Sequence, residues 1–177
     1  MAIIRQARFD GPGSEAELCR TLMREYAHFL NESVGGEHIC VDSLEEELAG
    51  LPGSYAEPAG AVLLAFENET PAGCVALKPL QLSRPAQAAE RACEMKRLWV
   101  RSSQQGTGLG RKLAEAILAS ARERGYTAMY LDTMPQLMQA AYRLYGSMGF
   151  TPVDRYNDNP VLRQTDSLAI AFLRREL

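Results

Sequence analysis

Apolar positions recur along this chain at two different spacings, and the changes between them mark out the elements. Residues 2–8 read as a first strand, ended by the breaker Asp10-Gly11-Pro12-Gly13. Ser14 then opens a helix with Glu17 three positions on, a spacing at which each side chain reaches the other's backbone amide. Leu18, Leu22, Tyr26, Phe29 and Leu30 share one face of that helix, which ends near Asn31. A shorter helix begins at Ser43 and stops before Pro52-Gly53. Two apolar runs, 61–66 and 73–80, flank the polar stretch 67–71 and form a hairpin signature. Residues 81–91 read as a loop and 93–100 as a further strand. A glycine-rich turn over 106–110 leads into a helix over 109–124, with Gly125 at its C-terminal cap. Residues 127–133 form a strand, 136–148 a helix, and 150–153 with 167–173 the last two strands.

The order β-α-α-β-β-β-α-β-α-β-β contains no repeat and no long linker. It implies one α/β domain over residues 1–177, with a mixed sheet and helices on its faces. With 177 residues and 46% apolar content, the chain is large enough for a true core. Its net charge of −3 comes from interspersed signs, which excludes a nucleic-acid footprint. Lys96-Arg97 and Arg111-Lys112 are compact basic spots, both beside the glycine turn. Cys19, Cys40, Cys74 and Cys93 lack the spacing of zinc ligands, and His28 and His38 do not complete a site, so no metal is expected. We read the cysteines as reduced thiols of a cytoplasmic protein. No run of apolar residues approaches the roughly 20 needed to span a bilayer.

The most informative segment runs from Val100 through Gln105, Gly106, Thr107, Gly108, Leu109 and Gly110 to Arg111. A buried strand passes directly into a turn with glycine at alternate positions and then into a helix. Glycine admits positive φ and lets a ligand approach the backbone closely. The helix start adds outward-pointing amides and partial positive charge, which suit a phosphate or pyrophosphate. A tight strand-to-helix turn would not need three glycines. A Walker loop would require Lys-Ser/Thr after the last glycine, where Arg111-Lys112-Leu113 stands. A Rossmann fingerprint would require glycine at Arg111 and an earlier place in the chain.

The spacing Gln105-x-x-Gly108-x-Gly110 resembles the acyl-CoA pyrophosphate motif of the GNAT superfamily of N-acyltransferases. A second block, from Ala141 through Leu144, Tyr145 and Gly149 to Phe150, resembles that superfamily's late helix-to-strand motif. The similarity is close over residues 92–155 and limited to element order before them. It implies a central mixed sheet of about seven strands, splayed between the fourth and fifth, with about four flanking helices. It also implies acetyl-CoA as co-substrate and a small-molecule amine as acceptor, and leaves a homodimer open. Backbone groups at Leu98 and Val100 would meet the pantetheine arm. The amides from Gln105 to Gly110 would take the pyrophosphate, with Arg111 and Lys112 adding charge. Many relatives carry arginine at the place of Gln105, so this chain leans more on backbone and on Arg111.

Acyl transfer to an amine requires a proton acceptor for the ammonium, a polarised thioester carbonyl and a proton for the departing thiolate. Tyr145 matches the position of the superfamily's general acid, with Tyr142 the alternative. Glu94 corresponds to a base glutamate of some members, although a structural ion pair explains it equally well, and Asp132 is a second candidate. Strand alternation places Glu94, Lys96 and Leu98 on one face and Met95, Arg97 and Trp99 on the other. Arg97 hints at a carboxylate on the acceptor, as in an amino acid. Tyr26, Tyr55, Tyr156 and Asn159 are candidates for the acceptor side, each also explained by packing. A non-catalytic acyl-CoA-binding module and a protein or peptide acceptor are the competing readings.

Overall fold

The structure, a computed structural model, describes residues 2–33, 41–82, 90–157 and 169–177, with 41–43 described by their backbone alone. The described elements are β1 (Ile3–Gln6), α1 (Ala16–Ser33), α2 (Val41–Ala49), β2 (Ala61–Glu67), β3 (Thr70–Pro79), β4 (Ala92–Val100), α3 (Leu109–Glu123), β5 (Ala128–Thr133), α4 (Gln139–Ser147), β6 (Thr151–Pro152) and β7 (Ala171–Glu176). They follow the expected order. The strands form one sheet in the order β1-β2-β3-β4-β5-β7-β6. Among the described residues only the β4–β5 pair is parallel.

Alternation along the strands feeds two apolar layers. Leu63, Val75, Leu77, Met95 and Leu131 face Leu113, Ile117 and Leu118 of α3. Val62, Leu64, Cys74 and Ala76 face Cys19, Leu22 and Met23 of α1 and Leu48 of α2. Cys19, Cys74 and Cys93 are free thiols with no exposed surface. Burial, chiefly, pushes the Cys19 and Cys93 thiols up to about 12, so both stay protonated and unreactive. His38, Cys40 and Asn159 lie outside the described residues.

Several expected boundaries shift for local reasons. The Ser14–Glu17 capping pair does not form. The first turn of α1 instead hangs on the Glu15 carbonyl, which accepts from Cys19 N at 2.9 Å, while Glu17 pairs with Arg20. Helix α4 starts later than residue 136 because the Met134 carbonyl takes the amides of Leu137 and Met138 in a separate turn. Strand β7 runs to Glu176 rather than Leu173, its reach set by β5 from Ala171↔Thr133 to Glu176↔Ala128. Helix α3 closes as expected. Tyr126 N reaches Ala121 O and Gly125 N reaches Arg122 O, the paired bonds of a Schellman end.

The expected faces of β4 need a larger correction. Ala76 opposes Lys96 but Cys74 opposes Trp99, so two steps on β3 match three on β4. The extra residue is a β-bulge centred on Arg97, which sits at φ 57. Alternation therefore reverses there. Met95 and Leu98 both pack on the α3 side, while Trp99 packs with α1. Leu98 does not share a face with Glu94 and Lys96, and Met95 does not share one with Trp99.

Candidate active site

Strands β4 and β5 pair only at Ala92↔Ala128, Cys93↔Met129 and Glu94↔Tyr130. Both continue, β4 to Val100 and β5 to Thr133, without further pairing between them. The sheet thus opens at Glu94. Beyond it the β4 edge carrying Leu98 and Val100 is paired with no described strand, leaving that edge open to an extended chain.

At the far end of this edge lies the glycine turn. Gly106 and Gly108 take φ 78 and 84, and a Cβ added at either would meet no atom within 4 Å. Gly108 caps α3, whose first helical bond runs from Lys112 N to Gly108 O at 3.1 Å. The amides of Leu109, Gly110 and Arg111 precede that bond and have no acceptor within the helix. Thr107 Oγ1 donates to Gln104 O at 2.7 Å and Gln105 Nε2 to Val100 O at 3.0 Å, bracing the turn from within. Arg111 donates to Ser147 Oγ at 2.7 Å, so its guanidinium ties α3 to the end of α4. Backbone donors at the head of a helix, with open space over Gly106 and Gly108, suit an anion.

Glu94 stands at the vertex of the gap, almost wholly buried. Its Oε1 accepts from Tyr156 Oη at 2.8 Å and Asn157 Nδ2 at 3.0 Å, and its Oε2 lies 3.1 Å from Lys78 Nζ. Lys96 Nζ lies 3.5 Å from Glu94 Oε1 and donates to Asp132 Oδ1 at 3.2 Å. Asn157 Nδ2 also reaches Asp132 Oδ2 at 2.8 Å. Asp132 therefore joins Glu94 in one network across the gap. Asn157 and Lys78 were not singled out from sequence. Lys78 could have been found from strand register, whereas nothing in the sequence indicates that Asn157 returns to β4.

Tyr145, on α4, is buried against Phe150 on the α3 side of the sheet. Burial, with smaller contributions from Tyr26 and Asp132, raises its phenol above the ordinary range and keeps it protonated. Tyr142, on the same helix, is exposed, unlike the buried Tyr145. Tyr26 packs on Trp99 with ring centres 6.0 Å apart. Tyr55 is buried, and its hydroxyl donates to Glu47.

Arg97 does not present a spare cation. Its Nε and Nη2 donate to Glu47 at 3.0 and 2.7 Å, a two-pronged bond from β4 to α2. Burial alone would raise the Glu47 carboxyl, but the Arg97 bond and charge outweigh it and hold it below its usual value. Stability from this pair is therefore present above the unfolded carboxylate value, about 4.3, and is lost as pH falls through the lower folded value. Glu47→Gln is expected to cost about 2 kcal/mol at neutral pH by leaving Arg97 half-paired in a largely buried place. Denaturant unfolding should show that deficit at neutral pH and a shrinking difference as pH falls below about 4.

Among the described residues no helix is long and apolar enough to cross a membrane, and no cluster of three or more His, Cys, Asp or Glu is placed to hold a metal ion.

A mixed sheet opened between two parallel strands, with a glycine turn at the end of one of them, is the arrangement expected of an N-acyltransferase. Residues 17–150 match the acetyltransferase (GNAT) family, and the chain belongs to that family. It is 36% identical over 127 residues to an uncharacterized N-acetyltransferase of Schizosaccharomyces pombe, covering 71% of this chain and 73% of that one. A GNAT family acetyltransferase of Staphylococcus aureus Mu50 shares its fold with a TM-score of 0.71 at 18% identity, over 99% of both chains. Another, from Elizabethkingia anophelis with acetyl-CoA bound, gives 0.65 at 17% identity, over 99% of this chain and 98% of that one. The protein is an acetyltransferase.

Proposed function

We propose that the enzyme transfers the acetyl group of acetyl-CoA directly to a primary amine of a small molecule. The observation that carries this reading is the opening of the sheet at Glu94, with the glycine turn on the α3 side and the carboxylate network on the α1 side. The cofactor would lie along Leu98 and Val100, with its pyrophosphate on the amides from Gln105 to Gly110 and Arg111 nearby. The amine would approach from the α1 side, past Tyr26.

In this reading a β4 backbone amide near the Arg97 bulge polarises the thioester carbonyl, since a bulge frees a donor from the ladder. Glu94 accepts the ammonium proton. Both its oxygens are bonded within the protein, so the proton arrives through Tyr156, whose hydroxyl passes its own proton to Oε1 while taking the new one. The neutral nitrogen then bonds the acetyl carbon, the carbon–sulfur bond breaks, Tyr145 protonates the thiolate, and the second proton shed by the nitrogen as the amide forms restores the Tyr145 phenol. The phenol carries the proton that this last step requires. Arg97 is engaged with Glu47 and takes no part in the acceptor reading.

Incubation with acetyl-CoA and a mixture of amino acids, polyamines, aminosugars and short peptides, read by mass spectrometry, tests this. A small amine gaining one acetyl group is the expected result. Acetylation of peptides alone would overturn the small-molecule acceptor.

A further inference from the structure

We propose that Lys96 is a positioning residue of the transfer site: its ammonium bridges Glu94 and Asp132 across the gap, offsets the repulsion between the two carboxylates, and fixes Glu94 for proton transfer. This rests on the reading of Glu94 as proton acceptor.

The geometry is specific. Glu94 Oε1 and Asp132 Oδ2 both lie on the same nitrogen, Asn157 Nδ2, at 3.0 and 2.8 Å. Two carboxylates gathered on one neutral amide repel and tend to share a proton. Lys96 is the cation placed between them, 3.5 Å from one and 3.2 Å from the other. Its side chain is only 20% exposed, yet the two carboxylates outweigh burial and hold it charged.

The other described groups around the pair cannot replace it. From β3, Lys78 serves the far oxygen of Glu94. Within β4, Arg97 is matched by Glu47 of α2. Tyr156, beside Asn157, donates to Glu94 and is held protonated by burial and by the two carboxylates. Tyr130 of β5 is paired with Glu90, and the phenol of Tyr145 is neutral. Tyr26 of α1 is within electrostatic reach of Arg97 and Tyr145. Lys96 alone links the two carboxylates by charge among the described residues.

The test compares Lys96→Met, Lys96→Arg and the double variant Lys96→Met/Asp132→Asn with the wild type. Two readouts are followed against pH: kcat/KM for the acetylated amine, and the thermal unfolding midpoint. In Lys96→Met, kcat/KM should drop about tenfold at neutral pH and its acid limb should move up by about one pH unit. A shared proton in the folded state makes that state bind more protons than the unfolded chain. Its midpoint should therefore fall progressively below the wild type as pH rises from about 4 to 7. Lys96→Arg should restore the limb, and the double variant should remove the pH dependence of the midpoint difference. If Lys96→Met does not fold, Lys96→Gln takes its place in both readouts, with the same expected and contrary results. A limb unmoved in Lys96→Met, with a midpoint difference constant in pH, would show that Lys96 only packs. A wild type that binds CoA and acetylates no amine would instead overturn the functional reading, and the unfolding series would still decide the charge-locking role of Lys96.

Discussion

Gly108→Val is expected to weaken CoA binding about 100-fold, roughly 2.7 kcal/mol, while the protein stays folded. Gly108 sits at φ 84 and ψ 1, the left-handed region, where a residue with a Cβ costs about 1–2 kcal/mol and a branched one more. A Cβ there would meet no atom within 4 Å, so the packing behind the turn is not disturbed where the side chain begins. It would instead project into the space where the pyrophosphate is proposed to lie. The strained backbone would also rotate the amides at the head of α3 away from a common focus. Isothermal titration with CoA measures the loss, and unfolding by denaturant separates it from the smaller loss of stability. Unchanged affinity would mean that the anion lies elsewhere.

Tyr145→Phe is expected to lower kcat about 100-fold and leave KM for acetyl-CoA within about twofold, the pattern of a lost proton donor. The ring remains, so its contact with Phe150 and the fill of the core on the α3 side are kept. Tyr142→Phe serves as the control. Tyr142 is exposed, and its hydroxyl should not matter. Should Tyr145→Phe retain full turnover, the proton would come from Tyr142 or from water.

Element order, the glycine turn and the position of Tyr145 were legible in the sequence because each depends on local patterning. Apolar runs of strand length, an amphipathic stretch after the glycines and a glycine at the end of α3 carry their own signals. The arrangement of β4 was not legible. Its bulge requires an arginine at positive φ, which no propensity favours, and it reverses every face assignment from Leu98 onward. The fate of Arg97 was hidden for a related reason, since Glu47 lies fifty positions earlier on a separate helix. Glu94 was found as a candidate, but its partners come from β3, β4 and the segment after β6. Only the assembled sheet shows that its ion pair with Lys78 of β3 forms, and that this pair belongs to a network with Lys96, Asp132, Tyr156 and Asn157. The terminal strand was misjudged by three residues because its length follows its partner β5 and not its own hydrophobic pattern.

The most direct test of the account is release of free thiol from acetyl-CoA, followed with and without a panel of amines, on protein whose CoA binding has been confirmed by calorimetry. The account predicts release that depends on both enzyme and one class of small amine, and that falls with Tyr145→Phe. Intact CoA binding with no amine-dependent release across the panel would contradict it.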